Sequence, residues 1–301
     1  MPLSVVWLGN NGRNRQPAKE CPKVRSVPTN EEKSSYQDSG FVVVDPFLSP
    51  EELEVWCRVV DQAVAARGDQ RFSFPTDDGP GSAVDREHFE DREYYNRVFT
   101  QRLNLWQTDD AFRELLFQKE LGQFVGEMAG VTGLRIWHDQ ALIKQAYANP
   151  TAFHLDVPYW SFTSPDAITI WVALDDATLE NGCLYYMRGS HKAQKFDNVE
   201  IGKEIGALFD VYPEWRDVPA TPCPVRAGGA LLHNGLTFHG AGANMTPGRR
   251  RAITCAYMPD GSTFNGVPNV LPPEYLKRLA VGDLLDNEVQ NPLVFGPRPR
   301  Q

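Results

Sequence analysis

The sequence predicts a mixed α+β protein in which a helical first part precedes a strand-rich second part. Before Gly130 the apolar residues recur with the period of amphipathic helices, and from there to about residue 259 short apolar strands alternate with turn residues. Several short strands at regular spacing are typical of a sandwich or a barrel. Helices that feed such strands favour one mixed domain over two independent ones.

Composition limits the classes of partner. The chain has 301 residues, 42% of them hydrophobic, which suffices for a substantial core without disulfides. Its formal net charge of -9 argues against nucleic acid and anionic membranes as binding partners, because both bind preferentially to basic surfaces. No apolar run approaches the roughly 20 residues of a membrane helix. We therefore expect neither nucleic acid nor a membrane as a partner.

The N-terminal residues and the cysteines bear on the compartment. The first 15 residues contain only a short apolar stretch and no convincing cleavage site, so we expect no secretory signal. Three basic residues precede the first acidic one, Glu20, which resembles an organelle transit peptide only weakly. The 5 cysteines include no C-x-x-C pair and predict free thiols in a reducing compartment. We predict a cytoplasmic protein.

The first elements along the chain are an arm and a strand. Residues 1–35 are polar and weakly periodic, so we expect a loosely ordered N-terminal arm. The apolar run at 40–45 predicts a short strand. We expect residues 36–301 to form a single domain, with the barrel core at about 130–260.

Two helices are predicted next. Ser49 can cap a helix, Pro50 suits the first helical position and Glu52 completes a capping box. Residues 68–92 carry Asp, Gly, Pro and Arg with little pattern and are expected to form a loop. A second helix is predicted over 110–128, because its apolar residues form a stripe that ends before Gly130.

The second part of the chain is predicted to consist of short strands. They lie at 134–137, 140–144, 167–174, 183–187, 229–233 and 252–258. Residues 259–301 are rich in Pro, Asn and Gly, with one short helical stretch at 273–279. We expect this C-terminal segment and the loop at 68–92 to form a lid and tail around the barrel.

The most informative segment contains His154 and Asp156. On a strand, a spacing of two residues puts both side chains on one face. An imidazole nitrogen and a carboxylate oxygen that converge there can supply two ligands of a metal ion. An H-x-D motif alone is weak, because many proteins contain it by chance.

A second segment supplies another histidine. An apolar run leads to His239, a loop of Gly, Asn and Pro follows, and a strand then returns. A symmetric hairpin centred on residues 244–245 puts Arg250 beside His239 on one face, with Arg249 and Arg251 on the other. A slip of one residue would exchange these arginines.

Together these residues indicate iron chemistry. Two histidines and one carboxylate on neighbouring strands leave positions of an octahedral ion open, as in non-haem Fe(II) oxygenases. An arginine beside such a site can hold a carboxylate with paired hydrogen bonds. This arrangement fits a keto acid that chelates the metal at one end and pairs with Arg250 at the other. 2-Oxoglutarate is a compound of this kind.

Three motifs together resemble the phytanoyl-CoA dioxygenase family over about residues 36–260. They are the H-x-D, the sequence H-G-x-G-x-N-x-T-x-G-x-R at 239–250 and the stretch at 171–191. The resemblance implies a double-stranded β-helix, a jelly-roll or cupin-like barrel, with a flanking helical layer. It implies Fe(II), 2-oxoglutarate and O₂ as reactants. It also implies His154, Asp156 and His239 as catalytic iron ligands, and Arg250 as the partner of the C5 carboxylate of 2-oxoglutarate.

The same resemblance implies roles for other residues. Trp171 matches an aromatic residue that flanks the co-substrate, and Gln140 matches a strand position near its carboxylate. Ala241 stands where many relatives have Ser, so one hydrogen bond to the co-substrate is missing or comes from elsewhere. Related halogenases have a small residue in place of Asp156, so chlorination is not expected.

Other residues near these motifs have two interpretations. His138 and His233 are metal ligands by type, but we favour hydrogen-bonded core or surface roles for both. Tyr159, Trp160 and Phe162 either line a pocket or pack the sheet.

We therefore predict a non-haem Fe(II)- and 2-oxoglutarate-dependent dioxygenase. It hydroxylates an unactivated C–H of a small molecule and releases succinate and CO₂, with ascorbate as a reductant in vitro. One alternative keeps the iron site but ends in desaturation, epimerisation, rearrangement or endoperoxidation; another is a non-catalytic jelly-roll binding protein. We expect a monomer or a homodimer, and the substrate, CoA-linked or free, stays open because a fold does not determine it.

Overall fold

The computed structural model describes residues 24–72, 92–197 and 199–297, and the backbone of two short strands within 75–80. The helices of this part of the chain are α1 (Asn30–Ser39), α2 (Pro50–Arg67), α3 (Arg92–Asn96), α4 (Asp110–Leu116), α5 (Lys119–Ala129), α6 (Leu208–Val211) and α7 (Pro273–Leu276).

The strands begin close to the N-terminus and continue almost to the last described residue. They are β1 (Phe41–Val44), β2 (Pro75–Thr76), β3 (Gly79–Pro80), β4 (Thr100–Leu103), β5 (Leu134–Lys144), β6 (Thr151–His154), β7 (Ile168–Ala173), β8 (Leu184–Tyr186), β9 (Thr221–Cys223), β10 (Ala230–Asn234), β11 (His239–Ala241), β12 (Arg250–Pro259) and β13 (Leu293–Phe295).

Two antiparallel sheets form the barrel. The larger sheet has the order β1-β10-β7-β12-β5-β13, with β4 also paired to β5, and the smaller has the order β6-β11-β8-β9. Side chains from both sheets line one central cavity. A sheet with one face on a cavity must cover its other face, and helices do so here.

The helical layer covers the outer face of the larger sheet. Trp56 and Val60 of α2 and Phe124 of α5 belong to one buried cluster with strand residues such as Ile170 and Ile253. The predicted start of α2 is confirmed, since the Ser49 hydroxyl accepts from the Glu52 backbone N–H and the Glu52 carboxylate accepts from the Ser49 N–H. The expected helical layer is therefore present.

The predicted helix over 110–128 is two helices. α4 ends at Leu116 and α5 begins at Lys119, because Gln118 has an extended backbone with ψ of 128°. In a continuous helix Leu121 would point about 140° away from Leu116, since each residue turns the chain by about 100°. The break resets this phase, so the apolar stripes of both helices face the core.

Two further expectations need correction. α1 begins at Asn30, where the Thr29 hydroxyl and the Glu32 carboxylate form a capping box. Residues 30–35 are therefore helical rather than part of a loose arm, and residues 1–23 lie outside the described residues. The strands predicted at 134–137 and 140–144 are one strand, β5, which continues past an irregularity in its pairing with β12.

The C-terminal segment packs across one end of the barrel. Phe264, Leu271 and Leu285 are buried in a cluster with Trp137 and Trp160, and β13 pairs with β5. The predicted helical stretch is shorter than expected and ends at Leu276. Of the other predicted lid segment, residues 73–91 lie outside the described residues except for the backbone of β2 and β3.

Two general expectations concern cysteines and membranes. Within the described ranges Cys57, Cys183, Cys223 and Cys255 are free thiols. No helix in the described part of the chain is long and apolar enough to span a bilayer.

Candidate active site

The His–Asp–His cluster lies on the smaller sheet. His154 is the last residue of β6, whereas Asp156 lies beyond the strand, at the start of a 3₁₀ turn. The expectation that both residues lie on one strand is therefore wrong, although their side chains still meet. His239 begins β11 and pairs directly with His154, so both imidazoles lie on one face and their ring centroids are 4.2 Å apart. One donor atom from each of the three side chains falls within 4.8 Å of the others. The structure thus brings together the three residues that the sequence selected.

The backbone orients both imidazoles. Nδ1 of His154 is 2.9 Å from the carbonyl oxygen of Ala152, and Nδ1 of His239 is 2.9 Å from that of Thr237. A carbonyl only accepts hydrogen bonds, so Nδ1 carries the proton in each ring and the lone pair is on Nε2. These Nε2 atoms lie 3.6 and 3.8 Å from Oδ1 of Asp156. Two nitrogen lone pairs and one carboxylate oxygen therefore converge on one point.

The second oxygen of Asp156 is already bonded. Oδ2 accepts from the Thr169 hydroxyl at 3.2 Å and lies 3.1 Å from Nε2 of His233. Nδ1 of His233 in turn lies 3.0 Å from the hydroxyl of Tyr186. These contacts leave only Oδ1 directed at the two histidines. His233 therefore has the hydrogen-bonded core role favoured from sequence, and its partners are Asp156 and Tyr186.

The protonation states suit a divalent metal. Burial by itself raises the pKa of Asp156, but the imidazoles of His239, His154 and His233 outweigh it and hold the pKa well below its usual range. Burial and the neighbouring imidazoles of His154 and His233 lower the pKa of His239. A charged carboxylate and neutral imidazoles are the forms that ligate metals.

Arg250 and His239 are not hairpin neighbours, so that prediction is wrong. His239 pairs with His154 and Tyr186 in the smaller sheet, whereas Arg250 pairs with Lys144 in the larger sheet. The loop between them carries the chain from one sheet to the other, as jelly-roll connections do. Both side chains still reach the same cavity, from opposite walls.

Arg250 is a buried cation with unused hydrogen-bond donors. Nη2 donates to the carbonyl of Gly182 at 3.2 Å, while Nε and Nη1 have no hydrogen-bond partner among the described residues. The guanidinium carbon lies 5.2 Å from the centroid of the Trp171 ring. Burial lowers the pKa of Arg250 to about 10, so the group stays charged at neutral pH. A buried charge with unpaired donors is costly unless an anion binds to it.

Sequence reasoning did not select Lys144. This residue is fully buried opposite Arg250, its Nζ donates to the Asn149 carbonyl, and Nζ lies 4.6 Å from the centroid of the Phe99 ring. Burial and the charge of Arg250 lower the pKa of Lys144 to about 6. Its even spacing from Gln140 on β5 would have placed both on one face, which was the available signal.

The remaining residues predicted to bind the co-substrate also line the cavity. Trp171 lies beneath Arg250, and the Gln140 side chain accepts from the amide of Gln101. Ala241 lies opposite Thr151, whose buried hydroxyl has no hydrogen-bond partner among the described residues. Thr151 is therefore a candidate for the hydroxyl that Ala241 lacks.

The outer part of the cavity, which we define as the part away from Arg250 and toward Asn269, contains the His–Asp–His cluster. The cavity has a volume of about 230 Å³ and reaches from Arg250 to Asn269. Across four strands of the larger sheet, His233, Thr169, Ala256 and His138 lie in register. The first two hold Asp156, whereas His138 lines the cavity with no hydrogen-bond partner for Nδ1 among the described residues. His138 is buried, but its Nδ1 lacks the hydrogen bond that the favoured core role requires.

Of the three aromatic residues after Asp156, two line the pocket and one packs the core. Tyr159 and Trp160 line the cavity. Phe162 is fully buried and packs against Trp137 at 5.3 Å between ring centroids.

Fold and cluster together define a class. A barrel of two antiparallel sheets, with two histidines, one carboxylate and a buried arginine at its cavity, is typical of Fe(II)- and 2-oxoglutarate-dependent oxygenases. The family model for phytanoyl-CoA dioxygenase matches residues 36–252. The chain belongs to the phytanoyl-CoA dioxygenase family.

Similar proteins agree with this assignment. A probable alpha-ketoglutarate-dependent hypophosphite dioxygenase of Stutzerimonas stutzeri is 26% identical over 238 residues, which cover 75% of this chain and 77% of that protein. The phytanoyl-CoA dioxygenase domain-containing protein 1 of Bos taurus is 24% identical over 271 residues, with 79% and 92% covered.

Solved structures show the same fold. The alpha ketoglutarate dependent carbocyclase SnoK from nogalamycin biosynthesis is 26% identical with a TM-score of 0.71, over 90% of this chain and 98% of that one. EctD from S. alaskensis, at 14% identity and a TM-score of 0.60 over 84% and 87%, supports the fold alone. The predicted jelly roll, and an oxygenase that depends on iron and 2-oxoglutarate, are confirmed.

Proposed function

We propose that this oxygenase hydroxylates an unactivated C–H of a small molecule and releases succinate and CO₂. The observation that carries the proposal is the pair of unused donors on the buried guanidinium of Arg250, in the same cavity as the His–Asp–His cluster. A buried cation in the same cavity as a metal-ligating cluster is what a chelating keto acid requires.

His154, Asp156 and His239 are the proposed iron ligands. Their Nε2 and Oδ1 atoms converge, and the lowered pKa values of Asp156 and His239 favour the charged carboxylate and the neutral imidazole that suit Fe(II). When bound, the iron supplies the activation of O₂, which no side chain can provide. His233 and Thr169 hold the second oxygen of Asp156, so this carboxylate would bind through one atom and leave coordination positions for the co-substrate.

Arg250 is the proposed partner of the C5 carboxylate of 2-oxoglutarate. Trp171 would cover one side of the co-substrate, and Gln140 and the Thr151 hydroxyl, which also line the cavity, would hydrogen-bond to it. Lys144 stands beside Arg250 as a neutral amine that a bound carboxylate would favour in its charged form.

The substrate would enter the outer part of the cavity. Tyr159 and Trp160 supply apolar walls there, which exclude water and orient a carbon toward the iron. We propose residues 36–301 as one catalytic domain, a monomer or homodimer in the cytoplasm, with residues 259–301 as lid and tail. Ascorbate would keep the iron reduced in vitro.

A second candidate reaction is ring closure or epimerisation at the same iron site. The observation that favours it is the likeness to a carbocyclase, SnoK, over 90% of this chain. The product mass separates these outcomes, because hydroxylation adds one oxygen, ring closure removes two hydrogens and epimerisation changes neither. A binding protein without turnover would not need the cation at Arg250.

The test is an anaerobic titration with Fe(II) and 2-oxoglutarate, followed by the weak visible charge-transfer band of the chelate. We expect the band in the wild type, its loss together with iron binding in Asp156→Ala, and weakened 2-oxoglutarate binding with intact iron binding in Arg250→Ala. Arg249→Ala is the matched control, because Arg249 is exposed and pairs with Asp61. Absence of the band in the wild type would refute the proposal.

A further inference from the structure

We propose that His138 and Asn269 form the polar part of the primary-substrate site and bind a hydroxyl group on an uncharged, ring-bearing compound. The inference rests on the proposed function, since the substrate carbon must lie near the His–Asp–His cluster. It adds the chemical class of the substrate and the two residues that recognise it.

The side chain of His138 lies at the same level of the cavity as Thr169, which bonds Asp156. It is 5% exposed, lines the cavity, and its Nδ1 has no hydrogen-bond partner among the described residues. It lies in register with Ala256, which separates it from Thr169, a residue that bonds Asp156. Ala256 is small, and all three residues line the cavity. A group bound to His138 would therefore lie beside the cluster.

Asn269 presents a second unused polar atom to the same cavity. Its Oδ1 is buried with no hydrogen-bond partner among the described residues. Its backbone has a φ of 36°, a left-handed conformation that costs free energy for a residue other than glycine. The segment is held on both sides, because Phe264 and Leu271 are buried in the core. Unused polar atoms and local strain together are typical of a binding site.

The chemistry of these groups selects the ligand. Burial lowers the pKa of His138 to about 4, so at neutral pH the ring offers one donor and one acceptor. The Asn269 oxygen is an acceptor. A hydroxyl group, which both donates and accepts, satisfies this pair, whereas a carboxylate meets an acceptor oxygen. Trp160 packs edge-on against His138 with ring centroids 5.9 Å apart and adds an apolar wall for a ring.

The site differs from the proposed co-substrate site. Arg250 lies six residues along β12 from Ala256, at the other end of the cavity. The competing interpretation is an anionic substrate held by Arg71, which also lines the cavity and packs against Tyr95 at 5.2 Å.

The experiment uses the anaerobic Fe(II)–2-oxoglutarate complex of the full chain and three probes of one ring size: 2-naphthol, naphthalene and 2-naphthoate. Binding is read from tryptophan fluorescence and from the shift of the charge-transfer band. In the wild type we expect 2-naphthol to bind about tenfold more tightly than naphthalene, since one or two hydrogen bonds contribute about 1.4 kcal/mol, and more tightly than 2-naphthoate.

Each deletion variant removes the polar atoms of one side chain. Asn269→Gly removes the oxygen and suits the left-handed backbone, so the fold is preserved. His138→Phe keeps a ring but removes its nitrogens, and His138→Asn restores a polar atom near the position of Nδ1. We expect 2-naphthol to bind no better than naphthalene in Asn269→Gly and His138→Phe, and partial recovery in His138→Asn.

Four results would overturn the inference. They are equal or tighter binding of 2-naphthoate, an unchanged preference for 2-naphthol in both deletion variants, equal binding of 2-naphthol and naphthalene in the wild type, and no binding of any probe. In each case the charge-transfer band of the complex would persist. Loss of that band in the wild type would instead count against the proposed function, so the two failures are distinguishable.

Discussion

Nε2 of His233 lies 3.1 Å from Oδ2 of Asp156, although the two residues are 77 positions apart in sequence. Since the Thr169 hydroxyl bonds the same oxygen, the carboxylate can turn only Oδ1 toward the two histidines. Partners of this kind orient metal ligands and tune their affinity. The larger sheet thus controls the geometry of a carboxylate in the turn that follows β6 of the smaller sheet.

Loss of His233 should weaken iron binding. We expect His233→Leu to lower the affinity for Fe(II) by about 10- to 100-fold, the range for lost partners of metal ligands. Anaerobic titration of the apoprotein measures it. Tyr186→Phe is the graded control, because it removes the hydroxyl that contacts His233 and leaves the contact of His233 with Asp156 intact. Equal iron affinity in His233→Leu and the wild type would show that Thr169 alone orients the carboxylate.

Binding of 2-oxoglutarate should take up a proton at Lys144. The pKa of this amine is about 6 in the free protein, so at pH 7 it is mostly neutral, and a nearby carboxylate raises its pKa. Affinity should therefore fall as the pH rises above about 6. Calorimetry in buffers of different ionisation enthalpy measures the uptake. Lys144→Met should abolish it, and uptake that persists in this variant would assign the proton elsewhere.

The Thr151 hydroxyl should contribute to co-substrate affinity. Removing one hydrogen bond by Thr151→Val is expected to weaken 2-oxoglutarate binding by about 2- to 10-fold, and iron binding should not change. Ala241→Ser in the same background places a hydroxyl on the paired position and should restore most of the loss. An unchanged affinity in Thr151→Val would mean that this hydroxyl does not contact the co-substrate.

His138 should make stability depend on pH. Burial lowers its pKa from 6.5 to about 4, so between these values the unfolded chain binds a proton that the folded protein does not. The free energy of unfolding therefore falls as the pH drops from 6.5 to 4. Between pH 7 and pH 5 this one group accounts for about 2 kcal/mol. Denaturation of wild type and His138→Phe at both pH values measures it, and an equal loss in both proteins would contradict the assignment.

Local patterns predicted much of the fold. The capping box at Ser49, the strand at β1 and the strand-rich second half follow from neighbouring residues and are present. The break between α4 and α5 and the continuity of β5 escaped prediction, because each depends on which face of the core the element contacts.

The sequence by itself determined the residue types of the candidate ligands, their H-x-D spacing, and a distal histidine and arginine in an order that identifies the family. These features depend on residue identity and on spacing within one segment, which are local, although Asp156 lies beyond β6 and not on the strand itself. Only the tertiary structure decided that Arg250 lines the cavity of the cluster from the opposite sheet, that His233 holds Asp156, and that Lys144 lies beside Arg250. Strand partners are chosen by burial across the whole domain, so the residues that meet across a barrel cannot be read from the spacing within one segment.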